Sequence, residues 1–148
     1  MIWKPHVTVA AVLECEGRFL LVEEETDEGI RFNQPAGHLE CREALTEAVI
    51  REVLEETGRT FVPESLVGVY QWRREAKDIT YLRFVFAGRI TAHDSARPLD
   101  QGIIAAHWLT LDEIHARRAQ LRSPMVLRCI QDYCAGRRYP LDVMTSCE

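Results

Sequence analysis

The chain has 148 residues, 47% of them hydrophobic, and a formal net charge of −5. That length and apolar content suit one folded domain with a proper core and exclude a disordered chain. The acidic balance excludes stable, non-specific nucleic-acid binding, which needs a basic surface, and no apolar run approaches the roughly 20 residues of a membrane span. The opening MIWKPHVTVAAVLECEG carries one Lys and then an alternating run, which is not the pattern of an export signal; no membrane partner and a cytoplasmic location are expected. The five cysteines, Cys15, Cys41, Cys129, Cys134 and Cys147, form no CxxC pair and no zinc-spaced cluster with histidine, so they read as free thiols in a reducing compartment.

In chain order, residues 6–14 (HVTVAAVLE) alternate as a strand, and 19–25 (FLLVEEE) read as its hairpin partner across Glu16-Gly17. TDEG at 26–29 is a turn, and RFNQPAG at 31–37 is a short extended piece, because Pro35 disfavours helix at Gln34. A helix is expected over 43–57, with Gly58 as its C′ residue. Three strands follow, at 65–73, 80–90 and 105–110, with a polar loop between Thr91 and Gly102. Leu111–Ala119 reads as a short helix, and Ser123-Pro124 as the N-cap and N1 pair of a last helix through Cys134, ended by Gly136. Strands interleaved with two or three helices place the chain in the α/β (α+β) class, with the 43–57 helix packed on a sheet.

That helix has an anomaly. With Glu52 as zero, Glu56 lies at about +40° and Glu55 at about −60°, while Leu45, Ala48 and Val49 lie at about +20°, −40° and +60°. The carboxylates therefore continue the apolar stripe, where an amphipathic helix would place its buried face. They also repel one another and oppose the macrodipole at the helix C-terminus. A hard divalent cation offsets that cost, since Mg²⁺ takes oxygen ligands and keeps some of its waters. Glu52 and Glu56, about one turn apart, are the strongest metal ligands. Glu55 is either a third ligand or the base that orients a water.

Residues 37–58 read GHLECREALTEAVIREVLEETG: Gly37, five residues, Glu43, seven residues, then Arg51-Glu52-Val53-Leu54-Glu55-Glu56-Thr57-Gly58. This resembles the Nudix box (37–59) of the Nudix hydrolases. One position departs from it: Arg59 stands where an aliphatic residue is usual, a packing position for which Thr60 and Phe61 are the substitutes. The resemblance implies a single Nudix domain over 1–148, with a mixed β-sheet sandwiched between α-helices and the box as a loop–helix–loop. It implies that the Gly37 carbonyl joins the metal ligands and that Glu43 and Arg51 pair to hold the loop against the helix. It also implies Mg²⁺, or Mn²⁺ in its place, as cofactor. Many members draw another acidic residue from a later loop. Here that loop offers Gly102 or Ile104, with Asp100 and Gln101 the nearest polar residues, so the base is placed on the helix, at Glu55 or Glu56.

Four further residues are candidates for substrate contact. Arg83, between apolar neighbours in a strand, either meets phosphate through its guanidinium or pairs with an acid. Trp72 either stacks on a substrate ring or fills core. Arg73, like Arg74, either binds phosphate or belongs to a solvated turn. His38, beside Gly37, either touches substrate or is structural, as His6 is expected to be. Glu23 and Glu24 end the second strand and are candidates to face the site, one of them as an added metal ligand, while Asn33 and Gln34 are read as fixing the glycine loop.

KPHVTVA, NQPAGHLE, QW, LRFVFA, LRSPMV and GRRYPL extend the likeness, along nearly the whole chain, to a bacterial phosphatase branch of the same family. That implies metal-dependent removal of terminal phosphate from nucleoside tri- and diphosphates and from hydroxymethylpyrimidine pyrophosphate, by a monomer or homodimer. Two readings compete with it: cleavage of a dinucleoside polyphosphate, nucleotide sugar or oxidised nucleotide at an inner phosphorus, and a regulator that binds metal or nucleotide without turnover.

Overall fold

The structure is a computed structural model and describes residues 1–147. Its strands are β1 (His6–Val12), β2 (Glu14–Cys15), β3 (Arg18–Thr26), β4 (Gly29–Asn33), β5 (Ala36–His38), β6 (Arg59–Arg74), β7 (Ile79–His93) and β8 (Ile103–Thr110). Its helices are α1 (Leu45–Thr57), α2 (Leu111–Ala116) and α3 (Pro124–Cys134). One sheet runs β5-β1-β7-β6 and is mixed, because β1 and β7 are parallel and the other pairs antiparallel. In the second, β3 lies between β8 on one side and β2 and β4 on the other.

Strand alternation distributes the mixed sheet between two helices. Val9, Ala11, Leu66 and Phe86 pack on Ala48, Val49 and Val53 of α1. Ala10, Val12, Val67, Val85 and Ala87 pack on Met125, Val126, Cys129 and Ile130 of α3. The expected mixed sheet sandwiched between helices is thus what forms.

The hairpin expected between 6–14 and 19–25 does not form. Every residue from Val9 to Leu13 is buried, so β1 has core on both faces and runs inside a sheet, paired with β5 and β7. The Glu16-Gly17 turn joins only the two-residue β2 to β3. The helix begins two residues later than 43: Ala44 is its extended N-cap, and its N–H donates to the Glu47 carboxylate at 2.9 Å. β6 begins six residues earlier than 65, directly after Gly58, and takes in Pro63 through register shifts on either side of it. The helix expected over 111–119 stops at Ala116, and a single 3₁₀ turn at Arg118–Gln120 follows. Ser123 caps α3 by accepting the Met125 N–H, with Pro124 at N1. All five cysteines are free thiols, and only Cys129 is buried.

At the end of α1, Gly58 has φ +71°, and a Cβ there would lie 2.7 Å from the Asp94 carbonyl oxygen. Gly58→Ala is expected to cost about 2 kcal/mol from left-handed strain and this clash, read as a lowered midpoint in urea with an unchanged slope.

Candidate active site

The site is organised by Arg51, in the middle of α1. Its Nε and Nη2 donate to the two carboxylate oxygens of Glu43, at 2.6 and 3.0 Å. Nη2 also donates to the His38 carbonyl at 3.0 Å, and Nη1 to Glu52 Oε1 at 2.7 Å. A planar guanidinium can satisfy such a fork where an ammonium cannot. Glu43 in turn accepts the Glu40 N–H at 3.0 Å, and the Glu40 carboxylate pairs with Arg51 at 3.2 Å, so the loop after β5 is tied to the helix at His38, Glu40 and Glu43.

Gly37 lets the loop lie flat on α1. A Cβ at that position would sit 2.1 Å from the Glu52 carboxyl carbon, so any larger residue there would displace the Glu52 carboxylate from its present position. One turn on, Glu56 Oε1 accepts the Ala36 N–H at 2.9 Å. Glu52 and Glu56 are each only 8% exposed, and both line a cleft of ≈ 390 Å³ together with Gly37 and His38.

Burial makes these acids costly as anions. It pushes the Glu56 carboxyl up to about 9 and the Glu52 carboxyl up to about 7, the latter despite the Arg51 hydrogen bond. Glu55 is also raised, by desolvation first and then by the neighbouring Asp100. Asp100 reaches it from the late loop, where its backbone N–H donates to the Glu55 carbonyl at 3.0 Å. Glu55 has 27% of its side chain exposed and only a loose 3.4 Å pairing with Arg51; it is not among the cleft-lining residues.

Among the described residues, no three Asp, Glu, His or Cys side chains converge as a ready-made metal cluster. The reason is local: Arg51 draws Glu52 toward itself, and the Ala36 N–H holds Glu56. The donors still fit a hard cation in kind. Glu52 and Glu56 are two buried carboxylates raised by desolvation, and the Glu52 carboxylate occupies the space a side chain at Gly37 would take.

The opposite wall is basic and aromatic. The sheet face that packs under α3 continues past that helix's N-terminus as Thr8, Arg83, Tyr81 and Trp72, in register across β1, β7 and β6. Arg83 is 3% exposed. Its Nη2 donates to Gln34 Oε1 at 2.8 Å and to Asn33 Oδ1 at 3.0 Å, and its buried Nε has no acceptor. No acid pairs with it among the described residues. Burial lowers its pKa. Trp72 stacks on Tyr81 at 5.7 Å and 16°. His38 meets His6 at 3.3 Å between ring nitrogens, and burial lowers its pKa.

Arg73 is not at this site. Strand alternation turns it outward onto Asp78, at 2.9 Å, and turns Trp72 and Arg74 into the cleft instead. Arg59 lies over the Trp108 ring at 5.6 Å, and Phe61, 1% exposed, supplies the apolar packing, while Thr60 is exposed. Glu24 lines the cleft and pairs with Arg122 at 2.8 Å, whereas Glu23 meets His107 at 2.9 Å.

Sequence reasoning missed Thr8, Arg122 and Ser123 on the cleft wall, and it missed the role of Gln34. The Gln34 amide is 1% exposed and links Arg83 to the Val126 carbonyl of α3, which accepts from its Nε2 at 2.7 Å. A polar residue directly before Pro35 was the one available signal. Nothing marked Arg122, which enters only because its backbone N–H donates to the Phe32 carbonyl at 2.8 Å.

Comparison with known proteins agrees with this geometry. The NUDIX domain pattern matches residues 3–129. The chain is 42% identical over 142 residues to phosphatase NudJ of Escherichia coli K12 and of Shigella sonnei, covering 96% of this chain and 92% of theirs. A NUDIX hydrolase from Nitrosomonas europaea superposes with a TM-score of 0.95 at 51% identity, over 97% of this chain and 98% of that one. A MutT NUDIX hydrolase from Burkholderia pseudomallei shares the fold, with a TM-score of 0.75 at 21% identity over 88% of this chain and 98% of that one. A domain match over most of the length, with the box glutamates gathered around Gly37 and Arg51, makes this chain a member of the Nudix hydrolase family.

Proposed function

We propose that this hydrolase is a Mg²⁺-dependent phosphatase, with Mn²⁺ able to replace Mg²⁺. It removes terminal phosphate from nucleoside tri- and diphosphates and from hydroxymethylpyrimidine pyrophosphate. The observation that carries the reading is the cleft itself, with buried Glu52 and Glu56 beside Gly37 on one wall and Arg83 on the other. The specificity rests on the likeness to NudJ along nearly the whole chain.

Nudix hydrolases generally use a divalent metal, and here Glu52, Glu56 and the Gly37 carbonyl would hold it, with Glu55 the further carboxylate within the same turn. A bound cation of this kind neutralises phosphate charge and lowers the pKa of water. The protein's own groups do the rest. Arg51 orients Glu52 and neutralises part of the carboxylate cluster. Glu55 is the base: its half-buried carboxylate, raised by desolvation and by Asp100, accepts the proton of the attacking water. Arg83 meets the phosphate through Nη1, because Nη2 is already engaged by Asn33 and Gln34 and Nε is buried. Trp72, backed by Tyr81, presents a flat face to a base or pyrimidine ring. His38 lines the phosphate end of the cleft.

Product analysis tests the reading. With ATP, ADP and hydroxymethylpyrimidine pyrophosphate, single phosphates should appear with Mg²⁺ and vanish with chelator. AMP plus pyrophosphate from ATP would overturn the phosphatase specificity while leaving the hydrolase intact.

Glu52→Gln and Glu56→Gln should each cut turnover by more than the roughly 100-fold typical of outer-shell changes at metal sites, with the folded state retained by circular dichroism. Freeing Arg83 with Gln34→Met should raise KM by roughly ten-fold, equivalent to about 1.4 kcal/mol, and change kcat less. The metal-free protein should lose stability as pH rises. Glu52 and Glu56 hold protons in the fold up to about 7 and about 9 but titrate near 4.5 when unfolded, so their protonated forms stabilise at low pH and that contribution fades through this window. Thermal melts from pH 5 to pH 9 should show the decline, and added Mg²⁺ should raise the melting temperature more at the alkaline end.

A further inference from the structure

A second cleft, of ≈ 620 Å³, opens from the first. The two share one wall, made by Trp72, Arg74, Arg122 and Ser123. The second carries four arginines, Arg31, Arg74, Arg118 and Arg122, against a single carboxylate, Glu28. Such a concentration is unexpected on a chain of net charge −5. Glu28 answers Arg74, and Glu24 answers Arg122. Arg31 and Arg118 have no carboxylate within ion-pair distance among the described residues.

The fold builds this cleft from three segments. The end of β6 and the 3₁₀ turn after it are held over the β3–β4 turn by the Arg74–Glu28 and Lys77–Asp27 pairs. The segment carrying Arg118 and Arg122 is fastened along β4, where Leu121 bridges Phe32 and the Arg122 N–H donates to the Phe32 carbonyl. Guanidinium groups held on such supports recognise phosphate by paired hydrogen bonds. The reacting phosphates of the function proposed above are served by Glu52, Glu56 and Arg83 in the first cleft, none of which lines the second.

We propose that the second cleft binds a phosphate monoester on the leaving part of the substrate, so that the enzyme favours nucleotides phosphorylated on both sides of the ribose. The assignment of ends rests on the function proposed above: the reacting phosphates sit by the carboxylates, the nucleoside crosses the shared wall at Trp72, and the remote phosphate reaches Arg31 and Arg118.

Calorimetry with adenosine 3′,5′-bisphosphate and adenosine 5′-monophosphate, in Mg²⁺, tests this. Neither ligand contains a phosphoanhydride, so the result does not depend on which bond the enzyme cleaves. The bisphosphate should bind about ten-fold more tightly, as expected for one added charge-assisted phosphate contact. The double variant Arg31→Gln/Arg118→Gln should abolish that advantage and leave binding of the monophosphate unchanged. Equal affinities in the native chain, or an advantage that survives in the double variant, would overturn the proposal. A preference that stands in a protein failing to release phosphate from ATP would keep the pocket and discard the proposed reaction.

Discussion

The site depends on one guanidinium. Arg51 binds Glu43 through two nitrogens, caps the His38 carbonyl and holds Glu52. Without it, residues 38–43 would lose these side-chain ties to α1, and Glu43 and Glu52 would lose the cation they share. Half-buried ion pairs of this kind are weak evidence for net stability, because desolvation offsets much of the Coulomb gain. Their value is geometric: one arrangement satisfies all the donors and acceptors, and the others strand a charge.

The same balance explains why the acids occupy what should be the apolar stripe of the helix. Val49 and Val53 bury completely against the sheet, so α1 is anchored by ordinary packing. Glu52 and Glu56 lie at its edge, where the absent side chain of Gly37 leaves room for one carboxylate and the Ala36 N–H satisfies the other. The core holds the helix still, and the carboxylates bear the desolvation that a cation would relieve.

The fold also gives the cleft two unlike walls, with Glu24 crossing over to pair with Arg122. The acidic wall comes from α1 and the loop before it, whereas the basic wall comes from the sheet face beyond the N-terminus of α3. Strand alternation decides membership of that wall residue by residue: Trp72 and Arg74 enter, and Arg73, between them, leaves for Asp78. Gln34 then locks the deepest of these groups by bridging Arg83 to α3. The cleft is therefore polarised before any ligand arrives, which lowers the reorganisation that binding requires.

The sequence by itself determined the local features. The helix with its glycine stop, the Ser123-Pro124 cap and the position of Glu52 and Glu56 follow from spacing of about one helical turn or from turn chemistry, and the Glu43–Arg51 pairing from the resemblance of the box. The family was legible for the same reason, because the box is contiguous. Tertiary structure decided whatever depends on which strands lie side by side. It made β1 an interior strand instead of a hairpin arm, since parallel pairing with β7 leaves no trace in the short-range pattern. It brought Asp100 to Glu55 across the loop before β8. It also placed Arg122, with no motif to announce it, on the wall shared by two clefts. Short-range periodicity reports which face a residue occupies; only the packing of distant segments decides what that face meets.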